Sequence, residues 1–221
     1  MTTRVLDEIK KEELVNRVHE IVSCKENILS NVFYKLIPTN RCLDKVSEPF
    51  IGDMSKVYAI RISDDEEGVS SIVFTWEIAD EMGIGLDEIK AHAEENTPKF
   101  SACSIRPMSN VLFSMMPKEL AFETPQCEAE IYVISNNRGV YGASCICYPN
   151  VLKEIAKTLD GSYFLIPSSV HECLALRANM GTSDALRAMV RDVNDSIVED
   201  CDILSYDVMF YDANVGTLEI A

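Results

Sequence analysis

Short apolar runs that come in pairs around turn-forming residues recur along the chain, and this pairing constrains the fold more than any other feature. Two runs joined by only a few residues can pair antiparallel, whereas a parallel pair needs a crossover of about a dozen residues. Residues 56–63 (KVYAIRIS) and 69–76 (VSSIVFTW) flank Asp64-Asp65-Glu66-Glu67 and Gly68. Residues 129–135 and 140–148 flank Asn136-Asn137-Arg138-Gly139, an Asn/Gly-rich turn that predicts a hairpin. Residues 162–167 and 170–176 fold about Ser168-Ser169, and residues 206–212 and 216–220 close the chain as a fourth pair.

Helix-periodic stretches separate these pairs. Val5, Leu6, Ile9, Leu14, Val18, Ile21 and Val22 recur at three- and four-residue intervals and predict an amphipathic amino-terminal helix. Residues 31–38 then read as a strand, and residues 39–54, with Pro49 and Gly52, as a connection. A helix broken at Gly83 and Gly85 resumes through Leu86, Ile89 and Ala93 towards Pro98. Residues 100–107 predict a strand and 109–116 a helix stopped by Pro117, after which 117–129 read as a surface connection. Pro149 opens a helix carrying Val151, Leu152, Ile155, Ala156 and Leu159, closed by Gly161. Ser183 caps a last helix whose stripe is Ala185, Leu186, Met189, Val190, Val193 and Ile197. Hairpins interleaved with amphipathic helices, without regular strand–helix alternation, predict an α+β fold. The expected organisation is a single domain over 1–221, with similar sub-modules at 28–117 and 130–221 and an amino-terminal helix within 1–27.

No apolar run approaches the roughly 18 residues needed to span a bilayer, and the charged amino terminus has no signal-peptide core, so the expected location is the cytoplasm. The eight cysteines (Cys24, Cys42, Cys103, Cys127, Cys145, Cys147, Cys173 and Cys201) are scattered, mostly in apolar stretches, as free thiols packed in a core would be.

Several stretches in one order, namely DDEEG with its following strand, ADEMGIGLDEIKAHAEENTPKF, IRPM, YVISNNRGVYGASCICYPNVLKEIAKTL, YFLIPSSVHECLAL and AMVRDVNDSIVEDCDILSYDVMFYD, make the chain resemble bacterial proteins of the domain-of-unknown-function family 5688 from about residue 28 onward. The run from Tyr132 to Leu176 is the most specific part. The resemblance implies a cytoplasmic bacterial or mobile-element protein and one shared fold; it implies no mechanism.

The net charge of −16 is uneven. Residues 64–95 hold eleven acids and one base, Lys90, and residues 192–221 hold eight acids and no base. Such a field repels phosphate backbones, so direct nucleic-acid binding is not expected; a basic protein partner is. The simplest reading of acidity is solubility; the sharper one is an interaction face, nucleic-acid mimicry included, formed by Asp64, Asp65, Glu66, Glu67, Asp200 and Asp202.

Pro167-Ser168-Ser169-Val170-His171-Glu172 is the alternative. A hydroxyl, an imidazole and a carboxylate close in sequence suggest a small hydrolase or metal-assisted enzyme built on Ser168, Ser169, His171 and Glu172. On a strand His171 and Glu172 point to opposite faces, and Ala175 stands where a zinc-protease helix needs its second histidine, so a structural hairpin is favoured. Cys145 and Cys147, read as strand neighbours on one face, lack a second spaced pair for a tetrahedral metal site, and nothing calls for a cofactor. Two questions pass to the structure: whether Asn136, Tyr141 and His171 meet, and whether Trp76 and the Met115-Met116 pair fill a core or mark a groove.

Overall fold

The computed structural model describes residues 2–65, 68–115 and 131–221, so Glu66, Glu67, Met116, Cys127 and the expected connection at 117–129 lie outside the described residues. The fold is α+β with two antiparallel sheets. The chain forms two compact units, one of Met1–Lys35, Cys42–Glu48 and Lys56–Phe100, the other of Leu36–Arg41, Pro49–Ser55 and Ser101–Ala221.

The first unit draws on helix α1 (Thr2–Val22), α2 (Lys25–Asn31) and strands β1 (Val32–Pro38), β2 (Ser47–Ile51), β3 (Met54–Asp65) and β4 (Gly68–Val73), then α3 (Trp76–Met82) and α4 (Leu86–Phe100). The strand order is β1-β3-β2, and β4 also pairs with β3. The hairpin expected around the acidic tetrad is present, with Asp65 opposite Gly68 and a bulge between Arg61 and Ser63. Val57, Tyr58, Ala59 and Ile60 are all buried, so β3 is covered on both faces like a central strand. The stretch 39–54, expected as a connection, contains β2; Pro49 is tolerated because β2 is an edge strand, where a missing N–H costs no ladder bond.

In α4 the stripe is Ile89, Ala93 and Thr97, one residue per turn. Asn96 Nδ2 donates to the carbonyls of Leu29 and Val32 at 2.9 and 3.0 Å, which fixes the passage from α2 into β1. Thr97 Oγ1 accepts the buried N–H of Tyr34 at 3.1 Å.

Glu48 is the hub of a charged cluster. Lys90 Nζ lies 2.9 Å and Lys56 Nζ 3.3 Å from its carboxylate, and Tyr58 Oη donates to it at 3.0 Å. Burial pushes the Glu48 carboxyl up, but hydrogen bonds from Lys90 and Tyr58 and the charge of Lys56 outweigh it and hold the group below its usual value of 4.5. A carboxyl whose folded value is depressed adds stability above its unfolded value, and that stability is lost as pH falls through the folded one. Glu48→Gln is therefore expected to cost about 1–2 kcal/mol at neutral pH. In urea melts the gap to wild type should close as pH drops below 4.5; a gap unchanged by acid would remove Glu48 from the account.

The second unit is built on a six-stranded antiparallel sheet in the order β10-β9-β7-β8-β6-β5. Its elements are β5 (Cys103–Pro107), α5 (Met108–Met115), β6 (Tyr132–Asn136), a 3-10 helix (Gly142–Cys147), α6 (Val151–Leu159), β7 (Tyr163–Ser169), β8 (Glu172–Arg177), α7 (Ser183–Ser196), β9 (Met209–Asp212) and β10 (Thr217–Ile220). Alternation along β7 sorts its residues between two helices. Phe164 and Ile166 pack with Leu186 and Val190 of α7, while the Tyr163 hydroxyl donates to Leu152 O of α6 at 3.1 Å.

The hairpins β7–β8 and β9–β10 form as expected. Three local expectations are corrected. Thr182 rather than Ser183 caps α7, accepting the Ala185 N–H at 3.4 Å. The buried stripe of α7 is Leu186, Val190 and Asn194; Ala185 and Met189 are exposed, and Ile197, past the last turn, is 77% exposed. The run from Val140 to Tyr148 is not a strand. β6 pairs instead with β5 and β8, and the chain coils into the 3-10 helix over the sheet.

Candidate functional site

Two groups of residues separate clearly once packing is known. The first lies on the first unit. Thr75 Oγ1 caps α3 by accepting the Ile78 N–H at 3.3 Å, and Gly83, at φ 61°, ends it in the left-handed conformation that a glycine adopts without a Cβ penalty. This short helix exposes Glu77, Asp80 and Glu81, with Asp87 exposed in the first turn of α4. None of these four makes a close ion pair among the described residues, although the charge of Asp87 acts on Lys90.

Other acids of the region are neutralised. Glu88 pairs with Lys25 at 2.6 Å, Glu94 with Lys56 at 3.6 Å and Glu95 with Lys99 at 2.6 Å. Glu77 and Asp87 sit in first turns, where the helix dipole favours negative charge. Asp80 and Glu81 sit in the last turn of α3, where it does not. Their placement therefore gains nothing from the helix that carries them. Beside them Trp76, the sole tryptophan of the chain, is 41% exposed, so it marks a surface rather than filling the core.

Asp64 and Asp65 behave differently. Arg61 Nη1 lies 3.3 Å from Asp64 Oδ2, and the Arg61 guanidinium stacks 3.6 Å over the Phe100 ring. Both aspartates line a cleft of about 1040 Å³ with Glu13, Arg17, Arg61 and Ser70, which mixes both signs of charge.

The second group lies in the second unit, where the structure brings Asn136, Tyr141 and His171 together around Gly142. A Cβ on Gly142 would stand 2.5 Å from His171 O and 2.6 Å from Asn136 N, so only glycine permits this approach. Tyr141 adopts a left-handed conformation, φ 52°, held by its N–H donating to His171 Nδ1 at 3.2 Å and by Ser144 Oγ donating to its carbonyl at 2.7 Å. Because Nδ1 accepts, the neutral ring carries its proton on Nε2, which donates to Asp202 Oδ1 at 3.3 Å.

Both imidazole nitrogens are thus engaged by Tyr141 and Asp202, and neither meets a serine hydroxyl. Ser169 Oγ accepts the backbone N–H of His171 at 3.1 Å, a local turn bond, and Glu172 pairs with Ser169 across the β7–β8 turn. Ser168 is partly exposed at the end of β7. His171 precedes β8 rather than lying on it, so the strand argument about opposite faces does not reach it.

Asp202 is turned to His171 and also accepts from Cys201 Sγ at 3.6 Å; the side chain of Asp200 is exposed while its carbonyl accepts from Arg41. Cys145 and Cys147 do not share a strand face, because the 3-10 helix buries Cys145 and leaves Cys147 half-buried. Among the described residues no three His, Cys, Asp or Glu side chains converge as a metal site would require. No helix among them is long and apolar enough to cross a membrane.

A family model described as a family of unknown function (DUF5688) matches residues 1–213. The chain belongs to that family. The match takes in the amino-terminal helix as well as the stretches from residue 28 onward. Comparison with curated proteins and with solved structures gave no match.

The sequence placed the expected interaction face on Asp64, Asp65, Glu66, Glu67, Asp200 and Asp202 and did not single out Asp80 and Glu81. The available signal was position: two acids immediately before the Met-Gly that ends α3 oppose the dipole preference.

Proposed function

We propose that this protein is a non-enzymatic acidic interaction module that engages a basic protein surface through α3 and the first turn of α4. The observation that carries the reading is the pair Asp80 and Glu81, exposed and unneutralised in the last turn of α3 next to exposed Trp76. Against a cationic partner these carboxylates gain the opposite charge they lack, and the indole supplies an apolar anchor and a face for a lysine or arginine head group. The alternative of a hydrolase on Ser168, Ser169, His171 and Glu172 draws less support, since the imidazole is tied to Tyr141 N–H and Asp202.

The test uses a lysine/arginine-rich peptide as the probe and the fluorescence of Trp76 as the reporter. Binding should shift the emission and weaken steeply with salt. Neutralising Glu77, Asp80, Glu81 and Asp87 to their amides should lower affinity roughly 10- to 100-fold at low ionic strength, as expected for four charges at an exposed rim. Equal binding by the neutralised protein, or an emission that ignores the peptide, would refute the proposal. Duplex DNA that displaces the protein from a nucleic-acid-binding partner would extend it to mimicry.

A further inference from the structure

We infer that Cys103 and Cys145 form a peroxide-responsive thiol pair that closes to an intramolecular disulfide. Cys103 opens β5, the edge strand of the six-stranded sheet, and stands opposite Asn136 of β6. Cys145 sits in the 3-10 helix that follows β6 and reaches back to it, its Sγ donating to Ser135 O at 3.3 Å. Ser135 is the neighbour of Cys103's cross-strand partner, so Cys103 and Cys145 meet the same end of the β5–β6 pair.

Their surroundings divide the roles. Cys103 is half-buried, whereas Cys145 is buried. Its interaction with Cys145 holds the Cys103 thiol below its ordinary value of 9.0, outweighing burial and the negative charge of Glu154 on α6, which push it up. Contact with Cys103 and burial push Cys145 far up, with Cys173 adding to the rise and Tyr148 opposing it. Cys103 is therefore the sulfur that ionises and Cys145 the one that keeps its proton.

With hydrogen peroxide as oxidant, the Cys103 thiolate attacks one peroxide oxygen, the O–O bond breaks, and the departing hydroxide takes a proton to leave as water. Cys145 sulfur then attacks the resulting sulfenic acid. The S–O bond breaks, the hydroxyl leaves with the Cys145 proton as a second water, and the S–S bond forms. Two thiols lose two electrons in all, and one peroxide gains them. The product ties the β5 edge to the turn segment beyond β6.

The experiment treats the full chain with hydrogen peroxide, blocks remaining thiols with iodoacetamide and maps peptides without reduction. Cleavage after Lys118 and Arg138 places the two cysteines on separate peptides. The expected result is a linked peptide pair, lighter by two hydrogens than its parts, whose fragmentation places the bond on Cys145 rather than on Cys147 of the same peptide, with Cys103 alkylation lost. Cys145→Ser should instead leave a sulfenic acid on Cys103 that dimedone traps. Should that variant not fold, the wild-type map still decides. Cys103 that remains fully alkylated after peroxide, or that links to any other cysteine, overturns the inference.

Discussion

Replacing Gly142 by alanine is expected to destabilise the second unit by about 3 kcal/mol or more, the high end for overpacking a buried site. The conformation at Gly142 is not the obstacle, because its φ is not in the left-handed region; space is. An added Cβ would stand 2.2 Å from Ser135 Oγ, 2.5 Å from His171 O and 2.6 Å from Asn136 N. A side-chain oxygen can rotate away, but two of the three neighbours are backbone. Rotating Ser135 Oγ away breaks its 2.8 Å bond to His171 O, and relief from the two backbone atoms has to come from lifting the 3-10 helix off β6, which pulls Tyr141 N–H from His171 Nδ1. Gly85→Ala is the control, since nothing lies within 4 Å of the new methyl and its φ is ordinary. Urea denaturation should show a much lower midpoint for Gly142→Ala and little change for Gly85→Ala. Equal midpoints would mean that the close approach carries no weight.

The same glycine shows where local reading stops. A sequence of apolar runs around NNRG looks like a hairpin because period and turn chemistry are local signals, and they correctly announce β6 and its turn. What excludes the second strand is non-local. Val133 and Ile134 are already paired with β8, and β5 takes the other edge of β6, so no ladder remains for residues 140–148. Their apolar character then serves burial in the 3-10 helix, where Ala143, Cys145 and Ile146 are all within a few per cent of full burial.

Where pairing partners are neighbours in sequence, as in β3–β4, β7–β8 and β9–β10, the residues announced the structure correctly. α2 escaped notice for another reason. It has seven residues, and its N-cap, Cys24, makes no side-chain cap, so it lacks both length and signature. The candidate site divides in the same way. Acidic composition was visible, but which acids find a lysine depends on contacts such as Lys25 to Glu88, sixty-three positions apart in the chain. Likewise the partners of the His171 ring in PSSVHE, Tyr141 N–H and Asp202, come from distant segments that a local reading of the stretch does not reach.

The second large effect belongs to Ile89→Ala. Ile89 is fully buried on the α4 face that also presents Ala93 and Thr97, and truncation to alanine removes three carbons from a packed site, expected to cost about 2–4 kcal/mol. The damage should spread along the contacts α4 makes. Asn96 then holds Leu29 O and Val32 O less firmly, and Thr97 loses its grip on Tyr34 N–H. Hydrogen exchange should accelerate across residues 25–35 and 86–100 while β7 and β8 keep wild-type protection near the variant's folded plateau. Unchanged exchange in 25–35 would show that α4 does not support the α2–β1 passage. This variant also separates fold from function. Asp87 rides on the first turn of α4, so loosening the helix weakens the proposed acidic face only through the unfolded fraction. Peptide affinity lost in Ile89→Ala should return as cooling restores the folded population, whereas affinity lost by neutralising Asp80 and Glu81 stays lost at every temperature at which the protein is folded.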